Sequence, residues 1–322
     1  MVHMYNPATE AMPLEKLQKL QTDRLLNMVK RVYEKVPAYR EKFDAAGFYP
    51  ADLADLTDLT LLPFTTNQDL RENYPYGLFA VPFDEIVRIH ATENSAGGLT
   101  IAGYTKSDLT IWGQIMARTV GAAGVSSRDI AYVSCGAFSG ALCAAIEAET
   151  IDCAAIPVVD GNLSRHVTLL RELRPTALVA SPAYALSVAE YMEETGISAG
   201  DFRLVYGFFG GGAWSESQRQ VIQEKLGLKA FAVYGLPEIM EPGIAYECDC
   251  QNGLHIVEDH YLVEIIDPAG ELPVPDGQPG EITVTCLTKE AMPLLRYRTG
   301  QTGIILREAC PCGRTSIRMV RT

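Results

Sequence analysis

The 322-residue sequence has no run of the roughly 18 uninterrupted apolar residues that a membrane-spanning helix needs, and its N-terminus shows no basic segment followed by an apolar core. A membrane span and a secretory leader are therefore not expected, and the cytoplasm is the expected location. Cationic side chains are also scarce: 27 Lys and Arg stand against 40 Asp and Glu, for a formal net charge of −13. Proteins that track nucleic-acid phosphates need clustered cations to displace counterions, so DNA and RNA are not expected partners. No serine-hydrolase nucleophile elbow is evident, and there is no internal repeat or low-complexity tract.

Apolar residues are plentiful. At 48% hydrophobic content the chain can bury a sizeable core, and its length suits two lobes. From Leu14 to Phe43, apolar residues at helical spacing (Leu17, Leu20, Leu25, Met28, Val29, Val32) predict an amphipathic packing helix. Capping chemistry at Thr66 or Asn67 opens the next segment. Short apolar runs at Ile130 to Val133, Ala154 to Val159, Ala177 to Ala180 and Arg203 to Gly207 then alternate with helical stretches at Leu109 to Val120, Ser164 to Leu173 and Tyr184 to Glu194. That alternation predicts an α/β fold, a layered sheet with crossover helices. Past Glu241 the texture becomes β-rich, with strands expected at Tyr261 to Ile266 and Glu281 to Cys286 around a turn-rich loop. The expected division is an α/β core with N-terminal helices over 1–240 and a β-rich subdomain over 241–322.

Several strings, taken together, resemble the phenylacetate-CoA ligase branch of the adenylate-forming superfamily. They include Arg71-Glu72-Asn73-Tyr74-Pro75-Tyr76-Gly77-Leu78, Arg88-Ile89-His90-Ala91, Gly103-Tyr104-Thr105, Tyr234-Gly235-Leu236-Pro237-Glu238, Leu287-Thr288-Lys289-Glu290, Arg296-Tyr297-Arg298-Thr299 and Cys310-Pro311-Cys312-Gly313-Arg314. The likeness covers nearly the whole chain. It implies the N-terminal core of an enzyme that activates a carboxylate with ATP and Mg²⁺ and passes the acyl group to coenzyme A. It also implies that the family's mobile C-terminal domain is absent after Thr322, and it makes a homodimer a possible assembly.

The resemblance exposes departures at the nucleotide site. The family holds its polyanion in a hydroxyl- and glycine-rich loop ending in Gly-Lys; here the matching stretch is Thr92 to Thr100, with Glu93 where a hydroxyl is expected and Gly98 where the lysine is expected. Pro237 stands in place of a hydroxyl residue, Gly212 in place of an acid, and Gln301 in place of the Asp that clamps the ribose. Tyr234, Gly235 and Gln301 remain the implied nucleotide-binding positions. His90, Glu93 and Glu238 are the catalytic candidates, with Asp259 and His260 as further acid/base groups that would face opposite ways on a strand. The expected function is an ATP-independent reaction on a small aromatic or acyl carboxylate, or its CoA thioester. The alternatives are an ATP-dependent acid–CoA ligase core and a non-catalytic ligand-binding protein.

Eight cysteines without a secretory leader read as thiols or metal ligands. Cys248, Cys250, His255, Cys310 and Cys312 offer five soft donors, one more than a tetrahedral zinc site requires. The resemblance favours Cys248, His255, Cys310 and Cys312 and leaves Cys250 as the spare. Four protein ligands leave no open coordination position, so a structural zinc is expected, with reduced metal-free thiols as the alternative. Cys135, Cys143, Cys153 and Cys286 lie in apolar runs and read as buried small hydrophobes.

Overall fold

The computed structural model describes residues 3–93, 98–134, 153–158 and 161–322. Helices α1 (Pro7–Glu10), α2 (Leu14–Lys35), α3 (Pro37–Ala46) and α4 (Asn67–Glu72) precede a hairpin of β1 (Arg88–Glu93) and β2 (Leu99–Tyr104). Helix α5 (Lys106–Gly121) leads into β3 (Ile130–Ser134), β4 (Ala154–Val158), α6 (Leu163–Leu173), β5 (Ala177–Ala180), α7 (Pro182–Thr195), β6 (Tyr206–Phe209), α8 (Glu216–Leu226), β7 (Lys229–Leu236) and β8 (Met240–Glu247). The remainder is β9 (Leu254–Ile256), β10 (Tyr261–Ile266), β11 (Gly280–Cys286), β12 (Tyr297–Leu306) and β13 (Arg318–Arg321). No helix among the described residues is long and apolar enough to cross a membrane.

Two compact units emerge, both discontinuous in sequence: Met1–Tyr5, Thr110–Leu236 and Met240–Leu254 form the first, and Asn6–Leu109, Pro237–Ile239 and His255–Thr322 the second. This differs from a single cut at residue 240, because the N-terminal helices are grouped with the late strands. In the first unit, strands run parallel in the order β4-β3-β5-β6-β7, and β8 returns antiparallel to β7. All four residues of β5 are buried, as a central parallel strand covered on both faces requires. Val167 and Leu170 of α6, Val188 and Met192 of α7, and Ile222 and Leu226 of α8 share one core with Tyr132, Leu178 and Ala230 of the sheet. The strand expected at Arg203 to Gly207 begins instead at Tyr206. Thr176 O accepts from both Val205 N and Tyr206 N, at 2.8 and 3.0 Å, so the ladder starts there, and Leu204 is buried from the preceding loop.

In the second unit, β10, β11, β12 and β13 form an antiparallel meander. The single helix expected from Leu14 to Phe43 is broken at Val36, which is extended (φ −115°, ψ 104°) because Pro37 follows it and opens α3. Thr66 caps α4, its hydroxyl accepting from Asp69 N while the Asp69 carboxylate accepts from Thr66 N. Arg296 carries a heavily bonded guanidinium. It is 1% exposed, makes two 3.0 Å bonds to the Glu264 carboxylate, and lies 4.0 Å from the centre of the Phe64 ring. These bonds hold Arg296 at a φ of 43°, a left-handed conformation that costs a non-glycine residue about 1 kcal/mol or more.

Candidate functional site

Glu238 lies in the three-residue connection between β7 and β8 and is 2% exposed. Just upstream, Gly235 sits where the β7–β8 register shifts, and a Cβ there would meet Met240 O at 2.3 Å, so only glycine fits. The Tyr297 hydroxyl donates to Asn67 Oδ1 at 2.8 Å and stands 3.4 Å from Glu238 Oε1. A phenol has one proton, so the shorter bond takes it and the carboxylate contact is weak. Glu238 Oε2 is buried and has no hydrogen-bond partner among the described residues. Burial pushes the Glu238 carboxyl above the usual carboxylate range, opposed by Tyr297 and by the Lys289 ammonium.

Lys289 is itself 2% exposed. Its ammonium donates to Ile239 O and, at 3.4 Å, to Glu238 O, and it lies 4.2 Å from the centre of the Tyr104 ring. Burial pushes this lysine down to about 8, with Asp108, Cys286 and Glu238 pulling it back up. The other side of the same neighbourhood is His90. Its ring centre is 4.9 Å from that of Tyr104, and burial, aided by Arg88 and Lys289, pushes the imidazole down to about 4. At neutral pH it is therefore uncharged and holds a proton only weakly. Tyr104 thus links two of the predicted catalytic residues, His90 and Glu238, through Lys289.

Other expectations fall differently. Glu93 ends β1 opposite Leu99, but its side chain and residues 94–97 lie outside the described residues, as do Cys135 and Cys143. Gly98 is half-buried. Gln301, on β12, buries an Oε1 that has no hydrogen-bond partner among the described residues. Tyr234, on β7, is 2% exposed. Asp259 and His260 are not on a strand; they fill the turn before β10, where His260 Nε2 approaches Asp259 Oδ2 to 3.2 Å. A literal Gly-x-Ser-x-Gly string does occur, at Gly196 to Gly200. It follows helix α7 at the surface, and Ser198 Oγ is bonded to the Asp201 carboxylate at 3.2 Å, so it is a turn and no nucleophile elbow. Sequence reasoning did not single out Lys289 or Asp108, and it read Asn67 only as a capping candidate. The Leu-Thr-Lys-Glu string contains the first of them, but nothing in a string shows that its lysine is sealed in a core.

A second cluster lies in soft ligands. Cys248, His255, Cys310 and Cys312 are all buried, and their ligand atoms lie within 4.8 Å of one another. Cys312 Sγ is 3.3 Å from His255 Nε2, while His255 Nδ1 is 3.0 Å from Ser316 Oγ. The serine occupies one ring nitrogen and leaves the other turned to the thiols, the arrangement that orients a metal-binding imidazole. Cys250, two residues from Cys248, is exposed and outside the group. Three thiols and one imidazole at this spacing suit a tetrahedral ion such as zinc, whose ligand atoms stand about 3.5–4 Å apart at bond lengths of about 2.0–2.3 Å.

No family model matches the chain. It is, however, 42% identical over 319 residues to the phenylacetate-coenzyme A ligase of Thermus thermophilus, covering 98% of this chain and 72% of that one. Ligases of the same description from Pseudomonas putida and Escherichia coli K12 are also 42% identical, covering 92% and 90% of this chain and 70% and 67% of theirs. Among solved structures, a 2-hydroxyisobutyryl-CoA ligase in an open conformation with 2-HIB-AMP and CoA superposes with a TM-score of 0.90 at 28% identity, over 97% of this chain and 70% of that one.

Proposed function

Because the chain belongs to the phenylacetate-coenzyme A ligase family, we propose that it binds a small aromatic or acyl carboxylate, or the corresponding CoA thioester, and acts on it without ATP. The observation that carries this reading is Gln301. Its buried, unpartnered Oε1 stands where the resemblance expects a ribose-clamping carboxylate, and an amide accepts without charge assistance. Gly98 and Pro237 support it, since neither supplies the ammonium or hydroxyl expected there. Of the groups that remain, Glu238, a carboxyl whose affinity for its proton is raised by burial, suits proton transfer, while His90 offers a neutral hydrogen-bonding imidazole.

Calorimetry with Mg·ATP, phenylacetate and phenylacetyl-CoA tests this. The expected result is heat with the acid or thioester and none with the nucleotide; tight Mg·ATP binding followed by pyrophosphate release on adding phenylacetate would overturn it. That second outcome is the ATP-dependent reading, and Glu238 favours it, because an unpartnered buried carboxylate oxygen is also suited to a divalent cation.

For the soft-ligand cluster we infer a resident zinc held by Cys248, His255, Cys310 and Cys312. The four-donor set leaves no vacant position, which supports a structural ion whose binding contributes to folding.

A further inference from the structure

A buried ammonium costs several kcal/mol in lost hydration unless its surroundings replace the water. Around Lys289 they do so in one direction: two carbonyls, of Glu238 and Ile239, and the face of Tyr104. Both carbonyls belong to the connection that carries Glu238.

The lysine is fixed from behind as well. Asp108, fully buried in the first turn of α5, accepts from Glu290 N at 2.7 Å and Ala291 N at 3.1 Å, the two residues after Lys289. Asp108 in turn forms a reciprocal cap with Thr105, its Oδ2 accepting from Thr105 N at 2.9 Å and its N donating to Thr105 Oγ1 at 3.1 Å. Thr105 Oγ1 also donates to Glu290 Oε2 at 3.0 Å. The helix start, the 289–291 segment and the 237–239 connection are therefore joined by a continuous series of hydrogen bonds.

The geometry points to Lys289 as the positioning residue of the Glu238 site: by gripping the carbonyls of Glu238 and Ile239 it sets the direction in which the unpartnered Glu238 Oε2 faces. This rests on the reading above that Glu238 belongs to the working site. A methionine would fill the same volume, so packing alone does not call for the charge; two backbone carbonyls turned to one point do.

The test uses the full chain and two independent readouts. In Lys289→Met, amides of residues 238–241 are expected to exchange about tenfold or more faster while β10 and β11 keep their protection, since only the local hold is lost. Unchanged exchange at 238–241 would overturn the proposal. Should Lys289→Met fail to fold, Asp108→Asn keeps the lysine and loosens its support, and a smaller acceleration confined to the same amides is expected; none would overturn it.

The second readout is affinity for phenylacetate, phenylacetyl-CoA or Mg·ATP, whichever the wild-type chain binds. Lys289→Met and Glu238→Gln should each weaken it about tenfold, and the double variant no more than either alone, because both act through one carboxylate. Additive losses would assign Lys289 a merely structural role and overturn the proposal. A wild type that binds none of these probes counts against the proposed function, while the exchange measurement still decides the role of Lys289.

Discussion

Arg314 and Glu10, 304 residues apart, form a buried ion pair in which the guanidinium meets Glu10 Oε2 through Nη2 at 2.7 Å and Nε at 2.8 Å, with side-chain exposures of only 1% and 2%. Backbone bonds flank it, Thr315 N donating to Glu10 O at 3.1 Å and Thr315 Oγ1 to Met12 O at 2.7 Å. The residues just after the Cys310 and Cys312 thiols thus clasp the first helix of the second unit.

Removing one member of this pair leaves the other charge in a low-dielectric interior. Glu10→Ala is expected to destabilise the protein by about 3–5 kcal/mol, whereas replacing both residues by methionine should restore much of the loss. Urea unfolding midpoints of the single and double variants check it, and a single variant with an unshifted midpoint would contradict the pair's importance.

Metal analysis of the purified protein should find about one zinc per chain. Cys310→Ser and Cys312→Ser should lose the ion and lower the melting temperature. Cys250→Ser should keep both, because that thiol is exposed and outside the cluster.

The His90 imidazole is held down at about 4 against an ordinary value of 6.5. Between these values the unfolded chain binds a proton that the folded chain does not. The stabilisation from neutral His90 is therefore complete above pH 6.5 and lost as the pH falls towards 4. His90→Phe, which keeps the ring against Tyr104, should flatten that part of the stability curve. Parallel unfolding titrations of wild type and variant from pH 7 to about pH 4 isolate the effect.

If the nucleotide site was lost through charge, charge should return it. Gln301→Asp is expected to strengthen Mg·ATP binding by about tenfold, the order of one charge-assisted hydrogen bond over a neutral one, and adding Gly98→Lys should strengthen it further. Calorimetry reads both, and no gain in the double variant would show that charge at these two positions does not limit nucleotide binding.

Much of the fold was legible where periodicity and punctuation agreed. β5 and β10 fall on their predicted residues because each is a short apolar run bounded by turn-forming neighbours. The break at Val36-Pro37 was readable from the proline alone, yet the apolar stripe running on to Phe43 hides it. The start of β6 was not readable, since Leu204 is as apolar as a strand residue and only the bonds to Thr176 O show where the ladder begins. Of the candidate site, Glu238 and the grouping of Cys248, His255, Cys310 and Cys312 were singled out because carboxylates and thiols announce their chemistry. Lys289 was not, because a lysine in sequence reads as surface, and its two carbonyl partners are main-chain atoms that no side-chain pattern encodes. Asp259 and His260 show the reverse error: a strand rule keeps neighbours apart, and the turn brings them together.

The second unit's interleaved make-up also has a consequence for how the polypeptide is made. Residues 6–109 leave the ribosome well before residues 255–322, to which they are joined in one unit. At a translation rate of about 5–20 residues per second, α2 waits roughly ten seconds or more for the Glu258 and Asp259 carbonyls to which Gln21 and Arg24 donate. The first unit's parallel strands can be completed in that interval. Helices α1 to α4 are therefore made well before the unit they belong to can be completed.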